Sequence, residues 1–307
     1  MKSNSPRRPT TQSTAATRIT ASLLRRWPLP KPDPKLGKES RGDVLVVGGS
    51  VQIPGAAMLA GLCALRAGAG RLQIATSRSV AGQVAVAMLE ARVIGLPETR
   101  RGELGAGAHR TLAREIAACD ALLLGPGMSD GRAALELVRH CVRTRARCAL
   151  ILDAEALRVF DGRKPLGSRL ATEVIITPHA GEMARLWGCD REVILEDPLK
   201  VAREAASALR VVVVMKGPRT FIVAPDGQAY YNVAGNSGLG TSGSGDALSG
   251  VIAALSARGA TALQAASWGV YLHAVAGDRL AQRIGPLGFL ARELPAEIPA
   301  LLARLEP

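Results

Sequence analysis

Aromatic side chains are scarce in this 307-residue chain, where Phe, Trp and Tyr together make up 3% of the sequence. Binders of single-stranded nucleic acid interleave stacking aromatics with basic residues on a folded face, so the scarcity argues against a specific nucleic-acid partner, and no recognisable module is present. Cysteine is equally uninformative as a staple. Cys63, Cys119, Cys141, Cys148 and Cys189 are odd in number, form no CxxC pair and lie in apolar or helical-looking stretches. A disulfide framework or a zinc knuckle is therefore not expected, and a reducing cytoplasm is the natural setting. No apolar run reaches the roughly 18 residues of a membrane span. The basic N-terminus is not followed by the apolar core of a secretory signal, so no membrane partner is expected. The Walker lysine pattern and the GxSxG nucleophile elbow are also missing, which sets aside two common enzyme classes.

Acidic residues are few as well, and the formal net charge is +13. Residues 1 to 42 hold ten Lys or Arg against two acidic residues and so account for eight of those charges. The excess is largely a property of the N-terminal segment rather than of a folded polyanion-binding face. Residues 1–19, rich in Ser, Thr, Arg and Pro and without a hydrophobic period, read as a disordered basic tail. Residues 20–42 read as an extension that begins with a short capped helix from Thr20 and continues through the prolines between Pro28 and Pro34. Residues 43–307 read as one domain, and with 48% apolar residues the chain can bury a core without covalent help.

From Asp43 the sequence alternates apolar runs with helical patterns. Val44 to Val47 is a short strand ended by Gly48-Gly-Ser50, and Pro54 opens a helix that Gly68-Ala-Gly70 stops. Further strands are expected near Leu72 to Ala75, Ala121 to Leu124, Ala149 to Leu152, Val174 to Ile176 and Val211 to Val214. Helices are expected around 80–93, 106–118, 130–144 and 197–209. Pro225-Asp-Gly227 marks a hairpin between 220–224 and 228–232. Three helices close the chain, at about 246–257, 261–283 and 286–304. The economical architecture is α/β, with a mostly parallel central sheet covered by helices.

The densest chemical signal is Gly235-Asn-Ser-Gly-Leu-Gly-Thr-Ser-Gly-Ser-Gly-Asp246, followed by an apolar helical run. Glycines let a loop turn its amides inward and the next helix offers unpaired N–H groups, so the pair forms an anion site suited to phosphate. The embedded Gly238-x-Gly-x-x-Gly243 does not follow a buried strand in a Rossmann unit and is set aside as a dinucleotide fingerprint. Two readings of Asp246 are open from the residues alone. It caps a helix, or it accepts a proton from an alcohol whose oxygen attacks a terminal phosphate.

An ordered set of short motifs narrows the choice. Val44-Leu-Val-Val-Gly-Gly-Ser50, Pro54-Gly-Ala56, Ala64-Leu-Arg-Ala-Gly-Ala-Gly70, Gly125-Pro-Gly127, Leu152-Asp-Ala154, Thr177-Pro-His-Ala-Gly-Glu182, Lys216-Gly217 and Gly243-Ser-Gly-Asp246 occur in this sequence in that order. Over about residues 38 to 304 the chain resembles the ADP- or ATP-dependent NAD(P)H-hydrate dehydratase family, in its stand-alone form. The resemblance implies a ribokinase-like three-layer fold and a lyase that restores NADH or NADPH from NADHX or NADPHX. It further implies ADP or ATP as cosubstrate, Mg2+ beside the nucleotide phosphates, and a homo-oligomer, often a tetramer.

By the same resemblance Asp246 activates the ring hydroxyl for phosphorylation, after which phosphate leaves and the ring double bond re-forms. Ala56, Gly127, His179 and Asp246 would surround the hydrated dinucleotide. Lys216, Gly217, Pro218, Arg219, Thr220 and Gly245 would surround the adenine nucleotide. His179 either donates to the bound dinucleotide or only fixes its loop, and Lys216 either reaches phosphate or marks a strand end. Asp153, Glu155 and Glu182 are further carboxylates, without a spacing that defines a protein-only metal site. Ile53 and Pro54 stand where many relatives carry Tyr-Thr, and Ser244 where many carry threonine. Pro54 supplies neither hydroxyl nor amide hydrogen, so a polar contact at that point must come from elsewhere. A small-molecule kinase of the same fold and a noncatalytic nucleotide sensor are the competing classes.

Overall fold

The structure is a computed structural model that describes residues 15–129, 131–144, 148–160 and 174–306. Among these, β1 (Thr17–Arg18), β2 (Asp43–Val47), β3 (Arg71–Ser77), β4 (Ala91–Leu96), β5 (Ala121–Leu124), β6 (Ala149–Leu152), β7 (Val174–Ile176), β8 (Val212–Met215), β9 (Thr220–Val223) and β10 (Ala229–Asn232) form one sheet. Their order is β1-β10-β9-β8-β7-β6-β5-β2-β3-β4. Within the run from β8 to β4 adjacent strands are parallel to one another, and β9 runs antiparallel to both β8 and β10.

Continuous apolar strands are what a sheet covered on both faces requires. Side chains alternate across it: Val44, Val46, Leu123, Ile151 and Ile175 enter one core, while Leu45, Val47, Leu124, Leu152 and Ile176 enter the other. The first core is closed by the helices Pro54–Arg66, Ser244–Ala257, Ala262–Arg283 and Leu294–Leu305. The second lies under Ala113–Ala118, Arg132–Thr144, Ala180–Trp187 and Pro198–Leu209. Three layers result, and the turns that leave β2, β5, β6, β7 and β8 all emerge at the carboxyl ends of parallel strands, where open α/β sheets bind ligands.

Several boundaries differ from the sequence expectation. Ordered structure begins before Thr20, because Thr17 and Arg18 pair with Tyr230 and Tyr231 and Ile19 is buried behind them. The rest of the expected disordered tail, residues 1–14, lies outside the described residues. The helix expected over 80–93 ends at Ala87, and Ala91–Leu96 instead adds edge strand β4, whose Val93 and Ile94 suit a pleated surface. The segment 106–118 is split at Leu112 into two short helices. The last helix begins at Leu294 rather than 286, after Gly285 and Gly288 take positive φ and with Pro295 in its first turn. The helices Ala180–Trp187 and Arg191–Glu196 were not anticipated. Among the described residues no helix is long and apolar enough to cross a membrane.

The helices Pro54–Arg66 and Ser244–Ala257 touch through backbone at Gly250. Alanine in a helix interior is ordinarily preferred over glycine by about 0.5–1 kcal/mol. Here a methyl on residue 250 meets the Ala60 carbonyl, with the carbonyl carbon at 2.7 Å and Cα at 2.8 Å. Gly250→Ala is therefore expected to destabilise by about 1–3 kcal/mol. The reading is a lower urea midpoint at unchanged slope; a midpoint that stays or rises contradicts the contact.

Candidate active site

Asp153 directly follows β6, Thr177 follows β7 and Lys216 follows β8, so three adjacent strands deliver a carboxylate, a hydroxyl and an ammonium side by side. Lys216 Nζ lies 3.1 Å from Asp153 Oδ1, and the Thr177 hydroxyl, on the strand between them, donates to the same oxygen at 2.7 Å. Asp153 is 2% exposed, so this ion pair is not one that solvent dissolves. Glu182 Oε2 stands 3.6 Å from the same ammonium. Burial works against the Lys216 charge, yet the Asp153 and Glu182 carboxylates more than offset it, and the ammonium is held above the ordinary lysine range. Lys216 stays charged.

Thr177-Pro-His-Ala-Gly-Glu182 folds into a reciprocal helix cap. The His179 amide donates to Glu182 Oε2 at 2.8 Å, while His179 Nδ1 accepts from the amides of Gly181 and Glu182 at 3.0 and 3.2 Å. Accepting at Nδ1 leaves Nε2 to carry the proton of the neutral ring, as a donor. Burial is the main influence on this imidazole; with the Lys216 and Arg185 charges it outweighs Glu182 and lowers the pKa. The Lys216 amide bonds the Pro178 carbonyl at 2.8 Å and joins the His179 loop to the end of β8.

Gly243 takes φ +87° and turns the glycine-rich loop into the helix Ser244–Ala257, placing Gly245 and Asp246 in its first turn. A side chain at 245 would approach Lys216 Nζ to 3.3 Å, so glycine keeps the ammonium open to the helix start. Burial, then the Asp153 charge, pushes the Asp246 carboxyl up to about 7, with Lys216 pulling against them and Glu182 adding to them. A carboxyl poised there exchanges its proton near neutral pH, the property required of a general base or acid.

A cleft of about 770 Å³ opens at Lys216 and Gly245; Asp246 itself is not among the residues that line it. Of the residues expected to hold nucleotide, Lys216, Gly217, Pro218, Thr220 and Gly245 line it, and so does His179, expected at the dinucleotide. Arg219 does not; its guanidinium carbon sits 5.1 Å from the Tyr231 ring centroid, in a cation–π contact with a side chain of strand β10. Ala56 and Gly127 meet each other elsewhere on the same rim. Gly127 has φ +64°, and a Cβ there would lie 2.6 Å from the Ile53 carbonyl oxygen and 2.8 Å from Ala56 Cβ. The Gly49 amide bonds the Pro126 carbonyl at 2.7 Å, tying the Gly48-Gly-Ser50 turn to the Gly125-Pro-Gly127 turn. Sequence reasoning missed His273, Asn232 and Asn236 in the cleft wall. The available signal was a histidine and an aspartate, His273 and Asp278, inside an otherwise small and apolar stretch of helix.

Comparison with known proteins decides the family. A family model described as NAD(P)H-hydrate dehydratase matches residues 44–300. The chain belongs to the NAD(P)H-hydrate dehydratase family. It is 50% identical over 287 residues to the ADP-dependent (S)-NAD(P)H-hydrate dehydratase of Xanthomonas campestris, with 94% of this chain and 96% of that one aligned. It superposes on the crystal structure of the ADP/ATP-dependent NAD(P)H-hydrate dehydratase from Bacillus subtilis co-crystallised with ATP and Mg2+. The TM-score is 0.82 at 31% identity, covering 96% of this chain and 100% of that one. A ribokinase-like superfamily protein from Enterococcus faecalis shares the fold at 23% identity and a TM-score of 0.80, over 95% of this chain and 97% of that one. The fold of this family member is ribokinase-like, with its mostly parallel sheet between two helical layers. The chain spans 54% of the bifunctional NAD(P)H-hydrate repair enzyme of Moorella thermoacetica, to which it is 39% identical.

Proposed function

We propose that this chain is an ADP- or ATP-dependent NAD(P)H-hydrate dehydratase that returns NADHX or NADPHX to NADH or NADPH. The observation that carries the reading is Asp246, a half-buried carboxyl poised near neutral pH in the first turn of the helix that follows the glycine-rich loop. In this reading Asp246 takes the proton of the ring hydroxyl as that oxygen forms its bond to the terminal phosphorus and the bond to the departing nucleotide breaks. The helix-start amides and Lys216 receive the phosphoryl oxygens. The carbon–oxygen bond of the phosphorylated ring then breaks, phosphate leaves with the electron pair, and loss of a ring proton restores the double bond. His179, with its donor at Nε2, orients the dinucleotide, and Ala56 with Gly127 shapes its seat.

Magnesium fits the charges present. Asp153, Glu182 and Asp246 surround one ammonium, so negative charge is in excess beside the cleft. Among the described residues no three or more His, Cys, Asp or Glu side chains gather as a metal cage. A site of that kind suits an ion carried by phosphate oxygens and steadied by one carboxylate, for which Glu182 and Asp153 are the candidates. When bound it neutralises phosphate charge. We further read residues 43–307 as the catalytic domain, residues 20–42 as an extension packed on it, and the chain as a cytoplasmic homo-oligomer, with a tetramer as the form to test. Neither a membrane nor a specific nucleic acid is a partner in this reading.

Purified protein given ADP or ATP, Mg2+ and chemically hydrated NADH or NADPH is expected to regenerate absorbance at 340 nm. Asp246→Asn, nearly isosteric and at a first-turn position where the side chain makes no capping bond, is expected to keep fold and nucleotide binding while losing roughly a hundredfold to ten-thousandfold in rate. A stable phosphorylated alcohol without recovery of reduced dinucleotide points instead to a kinase. Nucleotide binding without any turnover points to a sensor, and near-normal turnover of the variant removes Asp246 from the base role. Sedimentation of the active protein as a monomer overturns the oligomer.

A further inference from the structure

The glycine-rich loop has a supporting partner that the chemistry above does not use. Residues 235–243 contain four glycines in nine positions, and such a segment loses more backbone freedom on ordering than almost any other. Something must hold it if its amides are to be fixed before a phosphate arrives. The holding groups come from one face of the helix Ala262–Arg283. At the start of the loop, Asp278 Oδ2 accepts the Gly235 amide at 2.9 Å and Asp278 Oδ1 accepts the Asn236 side-chain amide at 3.1 Å. Asn236 in turn accepts the Gly238 amide at 2.9 Å. At the end of the loop, where the helix Ser244–Ala257 begins, Ser244 Oγ and His273 Nε2 share a hydrogen bond of 3.1 Å.

Between these two ties the loop lies flat on the same helix. Leu239 packs where a side chain on Gly277 would stand; a Cβ there would come within 2.6 Å of Leu239 Cγ, and one on Gly235 would reach 3.5 Å from Ala274 Cβ. His273, Ala274, Gly277 and Asp278 follow the one, four and five spacing of a single helical face. Burial lowers the His273 pKa to about 4, so its bond to Ser244 joins neutral groups throughout the physiological range and does not switch with pH.

We propose that Asp278 and His273 are positioning residues that clamp the two ends of the glycine-rich loop on one helical face and so preorganise the nucleotide-phosphate cradle. Neither side chain has to touch the reacting atoms for this. Asp278 acts through Gly235 and Asn236, and His273 through Ser244. A loop held in its bound shape binds phosphate without paying for its own ordering at that moment. The proposal rests on the reading of the cleft as the nucleotide site.

The test is a comparison of two Michaelis constants in the full-length protein, with thermal unfolding measured alongside. Asp278→Ala removes both loop contacts and is expected to raise the nucleotide KM by about tenfold or more. Asp278→Asn keeps one acceptor oxygen but turns an amide toward a second donor, and is expected to raise it by about threefold. The KM for hydrated dinucleotide at saturating nucleotide is expected to stay within about twofold in both, since binding energy lost only at the phosphate loop is not shared by the other substrate. Should Asp278→Ala fail to fold, Asp278→Asn decides by the same pair of constants. An unchanged nucleotide KM in the folded variant overturns the clamp, as does a parallel rise of both constants. A wild-type protein that neither binds nucleotide nor repairs hydrate would instead remove the functional reading beneath it.

Discussion

Lys216 and Asp153 emerge from strands that are not neighbours, β8 and β6, and their charged atoms are 3.1 Å apart below the surface. Taking either charge out of water alone is unfavourable by several kcal/mol, about 3–5 kcal/mol when a partner is deleted, so the pair constrains everything around it. Thr177, on the strand between, satisfies Asp153 with a hydroxyl hydrogen bond. Glu182 approaches the same ammonium while capping its own helix. Burial of Asp246, and beyond it the Asp153 and Glu182 charges that one ammonium cannot fully offset, hold its proton up to about 7. The reactivity proposed for this site therefore comes from burial together with an imperfect charge balance.

That balance depends on the sheet. Parallel strands buried on both faces fix their carboxyl ends in one row, and the register Leu152 to Ile176 and Ile176 to Val213 leaves Asp153, Thr177 and the approach to Lys216 at the same level. Helix packing supplies the other half. Gly243 clears Leu59, and Gly250 admits the Ala60 backbone, so the helix bearing Asp246 sits against Pro54–Arg66 and its first turn faces the lysine. The ends of strands provide charge and the starts of helices provide amides. Neither alone makes a phosphoryl-transfer site.

Much of this was legible in the sequence because its causes are local. Gly243-Ser-Gly-Asp246 announces a left-handed turn into a helix, and the apolar runs of β2, β5, β6 and β8 announce a doubly covered sheet. The resemblance assigns His179 to the dinucleotide and Lys216 with Gly245 to the nucleotide; that all three line one cleft appears only in the fold. What escaped depends on distant partners. Residues 91–93 read as the end of a helix until β3 offers Ala91–Leu96 an edge, and Thr17–Arg18 looks unstructured until β10 pairs with it. Arg219 lies in the expected segment, yet the Tyr231 ring draws its side chain away from the cleft. His273 and Asp278 gain meaning only once the glycine loop is seen to lie on their helix.

In the proposed reaction a proton leaves the substrate for a carboxyl whose affinity is raised by its burial and tuned by the charges around it. The measurement closest to it is kcat/KM at limiting substrate, which reports the groups of the unliganded enzyme, followed from pH 5 to pH 9 in the wild type and in Asp153→Asn. A raised carboxyl is deprotonated only above its pKa, so the base form accumulates as pH rises. The wild-type rate should climb about tenfold per unit below a break near 7 and level off above it. Removing the Asp153 charge takes away one of the influences that raise the Asp246 pKa, so the break should move to lower pH. A rate independent of pH across this range, or a break that stays in place when Asp153 is neutralised, would contradict the account.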